Sequence, residues 1–89
     1  SFIGASALDA STLLTDYSRE IAELRGQMLI QGRVSVLLAD SSKFEKRAPV
    51  RVNNLDKLSF VICDEKPSVT LVESIKNLEA KLIIAKFVF

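Results

Sequence analysis

Four cations, Lys43, Lys46, Arg47 and Arg51, fall in a stretch that holds a single acid, Glu45. Directly before them comes Asp40-Ser41-Ser42, where hydroxyls and backbone N–H groups just past a strand end would complete the donor set that a phosphate needs. The same residues also read as a solvated basic loop, and spacing does not separate the two. Asp40 has a simpler reading, because an aspartate following a strand often accepts backbone N–H bonds and shapes the turn. Asp9 could accept sugar hydroxyls or form a turn. Arg25 sits beside the apolar stripe of a helix, where it either reaches a ligand or extends into water.

Other chemistries lack their residues. The chain has no histidine, and its one cysteine, Cys63, ends the apolar run Leu58-Ser59-Phe60-Val61-Ile62-Cys63, so it reads as a buried structural thiol rather than a nucleophile. Only carboxylates could ligate a metal, and no Asp/Glu spacing resembles a calcium loop. The three glycines, Gly4, Gly26 and Gly32, are scattered and form no phosphate loop. No catalytic residue, metal or cofactor is expected.

The elements that would carry these residues alternate in type. Phe2 to Ala5 reads as a short strand, Ser6 to Thr15 as a loop, and Asp16 or Ser18 as the cap of a helix. Tyr17, Ile21, Leu24 and Met28 recur on one helical face that should bury, with Gly32 as the stop. Val34 to Ala39 has the continuous apolar character of a central strand covered on both sides. A short extended piece at Val50 to Val52, a turn at Asn53 and Asn54, and a strand from Leu58 to Cys63 follow. Leu71, Val72, Ile75 and Leu78 form a second stripe, which predicts a helix from Ser68 to Glu79 feeding a strand at Leu82 to Ala85. This alternation predicts an α/β fold with a mostly parallel sheet, flanking helices and right-handed crossovers. Ligands in such sheets bind at the C-terminal strand ends, here the loops Ser6 to Thr15, Asp40 to Arg47 and Asp64 to Ser68.

With 89 residues, 48% hydrophobic and 26% charged, the chain has the makings of one globular unit. A net charge of +1 argues against wrapping nucleic acid or lying on an acidic membrane. No apolar stretch approaches the roughly 20 residues that span a bilayer, and the lone cysteine fits a reducing cytoplasm. Ser1-Phe2-Ile3-Gly4-Ala5 starts directly as an apolar strand, so the sequence is expected to begin inside a larger fold; Phe87-Val88-Phe89 is equally apolar.

Phe2-Ile3-Gly4-Ala5-Ser6, Leu8-Asp9-Ala10, Leu14-Thr15-Asp16-Tyr17-Ser18, Glu20, Met28 and Leu37-Leu38-Ala39-Asp40-Ser41-Ser42-Lys43-Phe44 together resemble the C-terminal sensor domain of the DeoR family. Val50-Arg51-Val52, Leu55-Asp56-Lys57-Leu58 and Val61-Ile62-Cys63-Asp64 continue the likeness more loosely. The resemblance implies a Rossmann-like, partial ribose-5-phosphate-isomerase-like domain of a cytoplasmic bacterial regulator of carbohydrate metabolism, a repressor that binds a phosphorylated sugar or polyol. Operator DNA would be read by an N-terminal winged helix-turn-helix outside this chain, which would be the C-terminal part of the sensor and a homo-oligomer. By the same resemblance, Ser6, Asp9, Arg25 and Lys43 line the effector pocket, with Glu20, Asp40 and Asp64 as secondary contacts. Arg25 stands where the family usually has lysine, and the family's glycines fall at Ala7 and near Leu13.

Two other functions share these features. A sugar-phosphate isomerase fragment would need two or three carboxylates close together after the first strand, and Ser6 to Ala10 contains only Asp9. A structural or oligomerisation domain with a degenerate pocket would need none.

Overall fold

The computed structural model describes residues 1–85; Phe87-Val88-Phe89 lies outside them. The elements are β1 (Phe2–Gly4), β2 (Ala7–Asp9), β3 (Leu13–Asp16), α1 (Arg19–Gln31), β4 (Val36–Ala39), β5 (Val50–Arg51), β6 (Phe60–Cys63), α2 (Val69–Asn77) and β7 (Lys81–Ile84), with 3-10 turns at Ser41–Lys43 and Leu55–Lys57. β1, β4, β6 and β7 pair in that order as an all-parallel sheet. β2, β3 and β5 form a small antiparallel sheet. The expected α/β fold with a mostly parallel sheet is therefore present.

Strand order in the parallel sheet equals chain order. Right-handed crossovers between strands that advance in one direction all fall on the same face. That face carries the core, where Ile3, Leu37, Val61 and Cys63 of the sheet meet Leu8, Leu14, Leu29, Leu71 and Ile75. Local chemistry sets the helix ends. Ser18 and Ser68 each accept the backbone N–H three residues on, at 3.3 Å from Ile21 and 3.3 Å from Leu71. Gly32 closes α1, its N–H donating to the Met28 carbonyl at 3.0 Å.

Two expectations are corrected. Ser6 to Thr15 is not a loop but the β2–β3 hairpin, because Ala7, Leu8 and Leu14 are buried and only the Asp9 to Thr12 turn faces solvent. The stripe Tyr17, Ile21, Leu24 does not bury either; all three are exposed, and α1 turns Ala22, Gly26 and Leu29 inward. Small residues win because the helix packs backbone-close, with Asn53 O only 3.4 Å from where a Gly26 Cβ would stand. Leu13 adopts φ 58°, a left-handed conformation costing about 1–2 kcal/mol in a non-glycine residue, close to the position where the family resemblance puts glycine.

Thr15 ties the two sheets' connections together. It is fully buried, and its Oγ1 accepts the Ala48 N–H at 2.8 Å. Thr15→Val keeps the shape and removes the acceptor, leaving a buried N–H unpaired. Urea unfolding is expected to report a loss of about 1–3 kcal/mol.

Candidate functional site

The C-terminal ends of β1, β4 and β6 lie side by side and project Ser6, the Ser41–Lys43 turn and Asp64. Asp64 accepts the Ser41 N–H at 2.7 Å and the Ser41 hydroxyl at 3.4 Å, so the end of β6 holds the turn that follows β4. Asp40 caps that turn, accepting the Ser42 N–H at 2.9 Å and the Ser42 hydroxyl. The Lys43 N–H goes to the Asp40 carbonyl at 3.0 Å and the Phe44 N–H to the Ser41 carbonyl at 3.2 Å. The backbone donors expected to cradle a phosphate are thus all engaged. Carboxylates already stand where an anion would.

Lys43 is different. It is half-buried beside this turn, and its ammonium makes no hydrogen bond or ion pair among the described residues. Its neighbour Arg47 is committed elsewhere, its Nε donating to Asp9 Oδ2 at 3.0 Å. Asp9 also accepts the Thr12 N–H at 2.8 Å and the Thr12 hydroxyl at 2.5 Å, and so closes the β2–β3 turn.

Ser6 and Arg25 meet at the end of β1. One guanidinium nitrogen, Arg25 Nη1, donates to the Gly4 carbonyl, lies 3.3 Å from Ser6 Oγ, and pairs with Asp16 Oδ2 at 3.2 Å. Asp16 is 4% exposed, and also accepts from Ser6 Oγ at 3.1 Å and from the N–H groups of Tyr17 at 2.7 Å and Ser18 at 3.4 Å. Sequence reasoning saw Asp16 only as a possible helix cap, a role that Ser18 takes. Its partner lies nine residues on, and no local spacing signals that pairing. All three Arg25 contacts use one nitrogen, so the planar fork expected to distinguish it from lysine is not what these bonds exploit.

Glu20 is not brought together with these residues. It is exposed in the first turn of α1 and lines a cleft of about 450 Å³ with Arg19, Gly26, Arg51 and Asn54, in which neither Lys43 nor Ser6 takes part. The half-buried Lys43 and the converging strand ends lie outside this cleft.

Electrostatics follow from these partners. Burial raises the Asp9 pKa, yet the Thr12 hydroxyl and N–H bonds and the Arg47 charge outweigh it and hold the carboxyl below its ordinary value. The Ser42 hydroxyl chiefly, with the Ser42 N–H and the Lys43 and Lys46 charges, holds Asp40 below its ordinary value against the opposing effect of burial. A carboxyl whose folded pKa is depressed contributes stability that is complete above its ordinary value of 3.8 and is lost as pH falls through the folded value. The unfolding midpoint is therefore expected to fall as pH drops from about 5 to 3, and Asp9→Asn is expected to flatten that dependence. A midpoint independent of pH over this range would contradict these assignments. Cys63 is fully buried, and burial together with the Asp64 charge pushes its pKa up to about 11, which leaves an inert thiol. Among the described residues no His, Cys, Asp and Glu cluster could hold a metal ion, and no helix is long and apolar enough to cross a membrane.

The DeoR C terminal sensor domain matches residues 1–65. The glycerol-3-phosphate regulon repressor of Haemophilus influenzae is 29% identical over 82 residues, covering 92% of this chain and 32% of the repressor. The L-fucose operon activator of Escherichia coli is 32% identical over 63 residues, covering 71% of this chain and 26% of the activator. The chain thus spans a third or less of the length of these relatives, which include both a repressor and an activator.

Proposed function

The chain belongs to the DeoR C-terminal sensor domain family, and from that premise we propose that it is the effector-sensing part of a cytoplasmic bacterial transcription regulator, a repressor, that binds a phosphorylated sugar or polyol. The observation that carries the reading is Lys43, a half-buried cation without a partner among the described residues, beside three converging strand ends. In this reading Lys43 takes the phosphate, while Ser6, Asp16 and Arg25 form the wall facing the sugar hydroxyls. Asp40, Asp64 and Asp9 act mainly as supports, fixing the turn and the hairpin around Lys43. Operator DNA would be contacted by an N-terminal domain outside this chain, and the assembly would be a homo-oligomer. In this reading the site senses without catalysis, and Asp9 and Asp16 serve in structural pairs.

A thermal-shift series with glycerol 3-phosphate, hexose phosphates and their unphosphorylated counterparts tests the proposal. Only phosphorylated compounds should stabilise the chain, by about 2.7 kcal/mol at a hundredfold excess over Kd. The second reading, a structural domain with a silent pocket, draws on the engaged donors of the Ser41–Lys43 turn. Stabilisation by no phosphate at all would favour it.

A further inference from the structure

One side of α1 lines a hollow that the effector reading does not use. Ala22 and Gly26 are small residues turned inward there, and the bend at Asn53 and Asn54 presses against Gly26. Asn54 holds the bend in place: its backbone is left-handed at φ 69°, and its side-chain amide donates to the Gly26 carbonyl at 3.1 Å. The cleft of about 450 Å³ beside this contact is therefore set by the backbone, and its size is that of a small-molecule site.

The charges around it are balanced but unpaired. Glu20 and Glu23 stand three residues apart on the α1 wall, about 5–6 Å between Cβ atoms, where like charges repel. Arg19 lies beside them, and Arg51 comes from β5. Arg19 precedes Glu23 by four residues, the order in which such a helical pair gains least. None of the four makes an ion pair among the described residues, where the two salt bridges are Arg25 to Asp16 and Arg47 to Asp9.

This lining selects among ligands. A phosphate would bring its charge up to two carboxylates, and a simple cation would meet two guanidinium groups, so each is opposed by half of the site. A neutral polyol leaves all four charges unmatched. A molecule with one ammonium and one carboxylate matches both signs. Its ammonium relieves the repulsion between Glu20 and Glu23, and its carboxylate takes the planar donor fork of Arg51.

We propose that this cleft is a second ligand site, for a small zwitterion of the amino-acid class, its ammonium between Glu20 and Glu23 and its carboxylate on Arg51. A free amino acid and a short peptide both carry these end groups. The site goes beyond the sugar-phosphate reading and is independent of it, since Lys43 takes no part in the cleft. All four charged side chains are exposed, so the affinity is modest, on the order of millimolar.

Titration of the isotope-labelled chain, followed through its amide NMR signals, tests the proposal with the standard amino acids, dialanine and trialanine as probes. At least one probe should shift the Gly26, Arg51 and Asn54 signals saturably, and whether it is an amino acid or a peptide separates the two sources. Acetylating the ammonium of that probe, or converting its carboxylate to an amide, should each weaken binding by about three- to tenfold. Glu23→Gln and Arg51→Gln, both at exposed positions and so expected to keep the parent's spectrum, should reproduce those two losses. Glycerol 3-phosphate in excess should not compete. Blocked probes that bind as well as free ones, competition by glycerol 3-phosphate, or no saturable shift from any probe would overturn the zwitterion site. A silent cleft would leave sugar-phosphate sensing untouched, because Lys43 lies outside it.

Discussion

Asp16→Ala is expected to destabilise the fold by about 3 kcal/mol, more than any other single substitution around the end of β1. The carboxylate is buried and takes four donors, two of them N–H groups at the entrance to α1 and one the guanidinium of Arg25. Removing it exposes the helix terminus and strips Arg25 of its counter-charge while the Gly4 carbonyl still holds the guanidinium in place. Arg25 keeps 21% of its side chain in water, which limits the loss, since solvent can take over part of the pairing. Asp16→Asn retains acceptors and should cost less, about 1–2 kcal/mol. Arg25→Lys should be milder still, because one nitrogen makes all three contacts. Urea midpoints at constant m-value measure all three. If Asp16→Ala costs no more than an ordinary surface substitution, about 0.5 kcal/mol, the pairing is not what holds the end of β1.

Lys43→Ala is expected to cut stabilisation by sugar phosphates to half or less while leaving the melting temperature of the ligand-free chain unchanged. The two halves have one cause: the ammonium makes no bond among the described residues that folding would miss. An anion that cannot use the engaged donors of the Ser41–Lys43 turn binds chiefly through this charge. A charge-assisted hydrogen bond is worth about 1.5–3 kcal/mol, so affinity should fall by roughly ten- to a hundredfold. Lys43→Arg should keep part of the response. Undiminished ligand shifts in Lys43→Ala would move the effector site elsewhere, and the cleft beside Glu20 would be the next place to look.

The parallel sheet was legible because β4 and β6 carry nearly continuous apolar runs, although Leu38 is exposed and the cover expected on both sides of β4 is missing there, and Ser18, Gly32 and Ser68 punctuate the helices as capping chemistry requires. The hairpin was not. Its strands are three and four residues long, and Ala7, Leu8, Leu13 and Leu14 alternate with too little contrast to register a period of two. The inner face of α1 was misread for a related reason, since larger side chains elsewhere on the helix outweighed Ala22 and Gly26 in the pattern, although small residues were what close packing selected. At the site, the three strand-end loops were legible from the alternation of elements, while the resemblance put Lys43 beside Ser6, Asp9 and Arg25, with Asp40 and Asp64 secondary. What stayed hidden was the pairing: that Asp64 reaches Ser41 and Asp9 reaches Arg47 depends on strand register, which no spacing along the chain encodes.

The order β1, β4, β6, β7 in the sheet is also the order in which the ribosome releases these strands. Each newly made strand therefore finds its neighbour already waiting at an open edge, and none has to wedge between two strands already paired. Growth is by accretion, one crossover at a time, so partly made chains present a sheet that is short rather than mispaired.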